Sequence, residues 1–125
     1  MLDKDQILNS DDLLFEELNI PEWGGPINVR VMSGKERDAF EASIDDKDRK
    51  SMHNFRARLC VLLIGDENGK RIFHDSQVGA LSLKSSKVLN DIVDFGMKLN
   101  GMTEQDIKDM VGNSEDAPSE DSGSN

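Results

Sequence analysis

A chain of 125 residues with 25 acidic and 15 basic side chains, net charge -10, has the size of one ordinary domain and is too short for a large multidomain enzyme. A hydrophobic fraction of 36% supports a packed core, while the acidity repels nucleic-acid phosphates and anionic lipid, so the expected partner is a protein and neither nucleic acid nor a membrane. One cysteine, Cys60, excludes an internal disulfide, no apolar run reaches the ~18–20 residues that cross a bilayer, and the start of the chain lacks signal-peptide character, which points to a reducing cytoplasm.

Asp3 is placed to cap a short helix through Leu8, and residues 12–20 alternate loosely enough for a strand. Pro21-Glu22-Trp23-Gly24-Gly25-Pro26 is a dense turn signal, and Ile27, Val29 and Val31 alternate after it, so the chain opens on a β-hairpin with Trp23 expected to be buried against the helices. Ser33 and Glu36 have the spacing of a capping box, which predicts a helix over residues 34–44 with a narrow apolar stripe and hence a surface position. The charged stretch 45–50 reads as a loop. Met52, Phe55, Leu59, Leu62 and Leu63 share one side at helical spacing, which predicts a helix over 49–64. A buried strand over 59–64, paired with 71–73 across the Asp66-Glu67-Asn68-Gly69 turn, is the competing reading.

Asp75 is placed to cap a short helix through Leu83. Ser85 or Ser86 starts another, with Val88, Leu89, Ile92, Val93, Gly96 and Leu99 on one face, until Asn100-Gly101 stops it; Thr103 then caps a last helix to Val111. Residues 112–125 hold four acids, no base and Ala117 as their one apolar side chain, so nothing offsets their ordering entropy and a disordered tail is expected. The organisation is one α+β domain over 1–111, a hairpin followed by four to five packed helices, and an acidic tail over 112–125.

Chemistry-bearing groups are sparse. His53 falls on a basic face, His74 ends a turn, and Cys60 lies among leucines as a small core hydrophobe, so no catalytic residue is assigned. Two histidines and one cysteine lack zinc spacing, the glycine of the 66–69 turn is misplaced for a calcium loop, and no glycine-rich phosphate loop occurs. No metal or cofactor is expected. Lys47, Arg49, Lys50, Arg56 and Arg58 form the local exception to the acidity. They read as a solvated face that would suit an acidic protein surface, including another copy's tail.

The segment Ile20-Pro21-Glu22-Trp23-Gly24-Gly25, followed by residues 29–41 from Val29-Arg30-Val31-Met32 through Glu41, resembles the tail assembly chaperones of long, non-contractile-tailed bacteriophages. Arg56-Ala57-Arg58-Leu59, the 66–73 turn, Leu81 with Lys84-Ser85, and Leu99-Asn100-Gly101-Met102-Thr103 follow in the family's order, so the resemblance covers 1–111. It implies a non-catalytic protein of the host cell cytoplasm, absent from the mature virion. Such a protein binds the long helical tape-measure protein and keeps it soluble until tail-tube subunits polymerise, with the major tail protein and further copies of itself as additional partners. It also implies that a longer frameshifted product can accompany the short one; the acidic tail stands here in place of a second folded segment.

Met97, Met102 and Met110 cluster around Asn100-Gly101 with Ile107 nearby, and methionine adapts to varied apolar partners. Met97, Met102, Ile107 and Met110 are therefore the candidate partner-binding residues, against the alternative that they pack the last helix onto the domain. The competing function, a small acidic inhibitor that imitates nucleic acid against a host protein, would need carboxylates along one face, and here the acids are interleaved with Lys and Arg.

Overall fold

The computed structural model describes residues 1–44, 48, 53–102 and 105–106. Apart from residues 105–106, the predicted helix from Thr103 to Val111 lies outside the described residues, as do the tail over 112–125, most of the charged stretch, residues 49–52 of the predicted 49–64 helix, Ile107 and Met110; His53 and Asn54 form a turn, so that helix is seen only from Phe55.

Helix α1 (Lys4–Leu8) is closed at its start by Asp3, whose carboxylate accepts the Gln6 N–H at 2.9 Å. Strands β1 (Phe15–Ile20) and β2 (Gly25–Arg30) form the expected antiparallel hairpin, in register from Phe15↔Arg30 to Ile20↔Gly25. A 3-10 turn, Pro21–Trp23, and Gly24 at φ +85° connect them, a backbone region open to glycine because it has no Cβ. Trp23, on the connecting turn, is partly buried and packs against the core, in line with the expectation that it anchors there.

Helix α2 (Gly34–Ala42) starts at the capping box. Ser33 Oγ accepts the Glu36 N–H at 3.1 Å and Glu36 Oε1 accepts the Ser33 N–H at 2.9 Å. Phe40 is the residue it buries, in keeping with a surface helix. Helix α3 (Phe55–Leu63) follows Asn54, which holds φ +56°, a left-handed conformation that Asn tolerates better than most side chains. The helix stops one residue short of the predicted end. Ile64 turns extended and with Gly65 forms β3, pairing with Val29 and Asn28 and so completing a three-stranded antiparallel sheet in the order β1-β2-β3. The backbone of β2 needs partners on both sides, and two residues of strand at the end of α3 supply them.

The competing strand reading thus fails over 59–63, yet its hairpin survives as one bridge, Gly65↔Arg71. Asp66 Oδ1 accepts the N–H groups of Asn68 and Lys70 at 2.8 and 3.0 Å, holding the turn from within. After it the predicted 75–83 helix splits into a 3-10 turn, Asp75–Gln77, and α4 (Val78–Leu81). The cap lies at His74, whose N–H meets Gln77 Oε1 at 2.7 Å, not at Asp75. Helix α5 (Ser86–Leu99) begins at Ser85 and buries Val88, Leu89, Ile92, Val93, Gly96 and Met97; Leu99 is half-buried.

Helices α3 and α5 pack together and α5 lies against β2. They approach closely at Gly96, where a Cβ would stand 2.6 Å from Leu63 Cδ1. Leu59, Leu63, Ile64, Ile92, Met97 and Val29 are fully enclosed between them. Asn100, just past α5, fastens the helix end to the loop after β2: its Oδ1 accepts the Met32 N–H at 2.7 Å, and its Nδ2 donates to Gly96 O at 2.7 Å and Arg30 O at 3.3 Å.

Candidate functional site

An open groove of about 760 Å³ runs between α2, the start of α3 and the 71–78 segment. Its apolar floor is Ala39, Phe40, Leu62 and Val78, and cationic or titratable groups of Lys35, His53, Arg58 and Arg71 stand along it. The amphipathic geometry of α2 produces this wall: with Phe40 turned into the core, its neighbours one turn away meet the open space. Arg58 lies over the Phe40 ring, 5.3 Å from its centroid, and Nη2 donates to Ser43 Oγ, so the cation covers one edge of the apolar floor.

Two acids also line the groove, each bound to an arginine. Arg71 Nη2 meets Asp75 Oδ1 at 2.8 Å, while its Nε donates to Val61 O at 3.2 Å. Glu36 is bidentate on Arg30, with Nη2 to Oε1 and Nη1 to Oε2 both at 3.2 Å. Arg30 is the one buried charged residue among those described; it also donates to Leu62 O at 2.6 Å and to Gly69 O at 3.2 Å. One guanidinium thereby ties β2, α2, α3 and the 66–69 turn behind the groove. Partial burial works to raise the Glu36 pKa. The hydrogen bonds from Arg30 and the Ser33 backbone, with the charges of Arg30 and Arg71, outweigh it and hold the carboxyl below its usual range.

Of the four candidate partner-binding residues, the two that are described are not on the surface. Met97 and Met102 are 1% and 5% exposed and belong to the core. The reason is the helix end itself. With Gly101 at φ +77°, the Met102 N–H reaches Met97 O at 2.9 Å and the Gly101 N–H reaches Lys98 O at 3.0 Å, a Schellman ending that folds the residue after the glycine back over the last turn. Of the basic cluster, Arg56 is exposed and donates to Asn90 Oδ1 at 3.1 Å, Arg58 lines the groove, and Lys47, Arg49 and Lys50 lie outside the described residues.

His53 is exposed at the groove and His74 is exposed before the 3-10 turn. Cys60 is buried with its thiol against Leu89 O at 3.6 Å, and burial pushes its pKa up to about 12. Among the described residues no group of three or more His, Cys, Asp or Glu could hold a metal ion, and no helix is long and apolar enough to cross a membrane.

No family model matches the sequence, and no curated protein matches it. In three dimensions the chain is similar to the solved structure of the bacteriophage HK97 tail assembly chaperone, with a TM-score of 0.60 and 13% sequence identity over 80% of this chain and 95% of that one. The α+β architecture seen among the described residues, a three-stranded antiparallel sheet with five helices, is the fold this chain shares with that chaperone.

Proposed function

We propose that this chain is a tail assembly chaperone of a long-tailed bacteriophage, which binds the tape-measure protein in the host cytoplasm, keeps it soluble while tail-tube subunits polymerise, and is left out of the finished virion. The observation that carries this reading is the shared fold, which extends over nearly the whole of the HK97 chaperone chain. The ordered sequence resemblance, which covers residues 1–111, supports it independently of the coordinates.

The chemistry is binding, not catalysis. A long helical client with apolar faces associates with itself unless those faces are covered, and the groove beside α2 joins an apolar floor to polar walls, the surface such a helix needs. An acidic protein coating that client also adds charge, which keeps the loaded particles apart. The nucleic-acid-mimic reading is supported less well, because surface acids sit beside cations: Arg37 with Glu41 at 3.2 Å, and Lys87 with Asp91 at 2.9 Å and Glu22 at 3.5 Å.

Co-expression with the tape-measure protein of the same phage tests the reading. The expected result is a larger soluble fraction of that client and co-purification of the two proteins. Unchanged client solubility together with no co-purification overturns it.

A further inference from the structure

The chain leaves the domain beside the groove. Asn100 is held on the Met32 amide at 2.7 Å, Met102 is buried two residues later, and Met32 stands three residues before Lys35, which lines the groove from the first turn of α2. Ile107 is five positions past Met102, a reach of up to ~17 Å in an extended chain, while the nine residues of α2 span ~14 Å. Residues 107–125 are therefore tethered about one helix length from the groove.

Their composition matches the groove in both respects. Ile107, Met110 and Val111 stand at i, i+3 and i+4, the spacing that gathers side chains on one helical face, and Asp109, Glu115, Asp116, Glu120 and Asp121 accompany them against Lys108 alone. In a chain of net charge -10 the groove has the opposite character. Its floor of Ala39, Phe40, Leu62 and Val78 is apolar, its own acids are held by Arg30 and Arg71, and Lys35, Arg58 and Arg71 supply positive charge along it. Apolar contact with the floor attracts without direction, and acids facing the cations fix which way the segment lies.

We propose that residues 107–125 dock in cis on the groove beside α2, with Ile107, Met110 and Val111 on the apolar floor and the acids beyond them against Lys35, Arg58 and Arg71. The free protein then keeps its groove covered by its own segment, and a partner that binds there must displace it. Ile107 and Met110 are thus partner-binding residues whose first partner is their own domain. A short linker holds such a segment at an effective concentration of about 1 mM, so a segment with a Kd of about 100 µM covers about nine grooves in ten and weakens a competitor about tenfold. The acids past Val111 contribute exposed charge pairs, each worth little, so the anchor is the apolar trio. This docking is tested without any client, and its failure leaves the chaperone reading untouched.

The probe is a synthetic peptide of residues 107–125, titrated into two full-length proteins, the wild type and the variant Ile107→Ser, Met110→Ser, Val111→Ser, at concentrations where sedimentation velocity shows each to be a monomer. The variant, with its own segment disabled, should bind the peptide about tenfold more tightly than the wild type does, with amide shifts at Ala39, Phe40 and Val78. In the wild type those three amides should already lie near their peptide-bound positions and stay there on dilution. Adding Lys35→Glu and Ala39→Asp to the serine variant should abolish the peptide's binding; both positions are exposed, and circular dichroism verifies the fold.

Equal affinity in the wild type and the serine variant, no binding to either, or shifts confined to other segments each overturns the proposal. Wild-type groove signals that move with protein concentration mean docking between copies, which overturns it as well. If the protein with the two groove substitutions fails to fold, a nitroxide on the peptide's first residue replaces it. Broadening of the groove amides ahead of all others is then expected, and broadening centred elsewhere overturns the proposal.

Discussion

Arg30, the one buried charge among the described residues, is paired with the carboxylate of Glu36. Removing the carboxylate leaves a buried guanidinium with only carbonyl partners, so Glu36→Ala should destabilise by about 2–4 kcal/mol in urea melts, toward the lower end for a buried pair because Glu36 keeps 22% of its side chain in solvent. Glu36 has a lowered pKa in the folded state. Its contribution is therefore fully present above the ordinary carboxylate value near 4.5 and is lost as pH falls through the lowered value. Stability measured at pH 7 and again near pH 3 should fall less in Glu36→Gln than in the wild type; equal losses would detach the pair from acid sensitivity. None of this was visible in the sequence. Arg30 occupies a position in a strand whose alternation marks only Ile27, Val29 and Val31, and a cation enclosed by Leu62 O and Gly69 O depends on segments more than thirty residues away.

Among the elements, α3 and α5 approach closely. Gly96→Ala adds a methyl against Leu63, which should destabilise by about 1–2 kcal/mol after the gain in helix propensity is allowed for, read as a lowered urea midpoint. An increase in stability would show that Leu63 moves aside freely. The stripe Val88, Leu89, Ile92, Val93, Gly96 was legible because five consecutive members obey one helical period, and the caps at Asp3, Ser33 and Ser85 were legible because a hydroxyl or carboxylate at that point satisfies an exposed amide. The end of α3 was not, since an all-apolar run such as 59–64 fits helix and strand alike, and the choice rests on the pairing needs of β2. The burial of Met102 had a signal that composition obscured. Asn-Gly at a helix end predicts a Schellman turn, and that turn predicts an apolar residue folded back. The groove left the weakest trace: exposure is a property of neighbours, and the sequence shows only that α2 has a narrow stripe.

For the whole molecule, charge and core are separable. The tail over 112–125 carries four acids and no aliphatic side chain beyond Ala117, so deleting it should leave the thermal midpoint unchanged within error while reducing the magnitude of the net charge. Calorimetry of the two forms checks this, and a clear drop in the midpoint would show that the tail contributes to the folded domain.

The order in which the parts emerge during synthesis follows from how Asn100 fastens the fold. The β1–β2 hairpin pairs residues close in sequence and can close within microseconds of leaving the ribosome. The helix that covers β2 begins at Ser86, and the side chain that holds the Met32 amide is at position 100. At roughly 5–20 residues per second, the hairpin waits several seconds with Ile20 and Val29 uncovered before its lid arrives. Glu16 and Glu17 on the outer strand, both exposed, place like charges on any neighbouring nascent hairpin that tries to pair along the same edge during that interval.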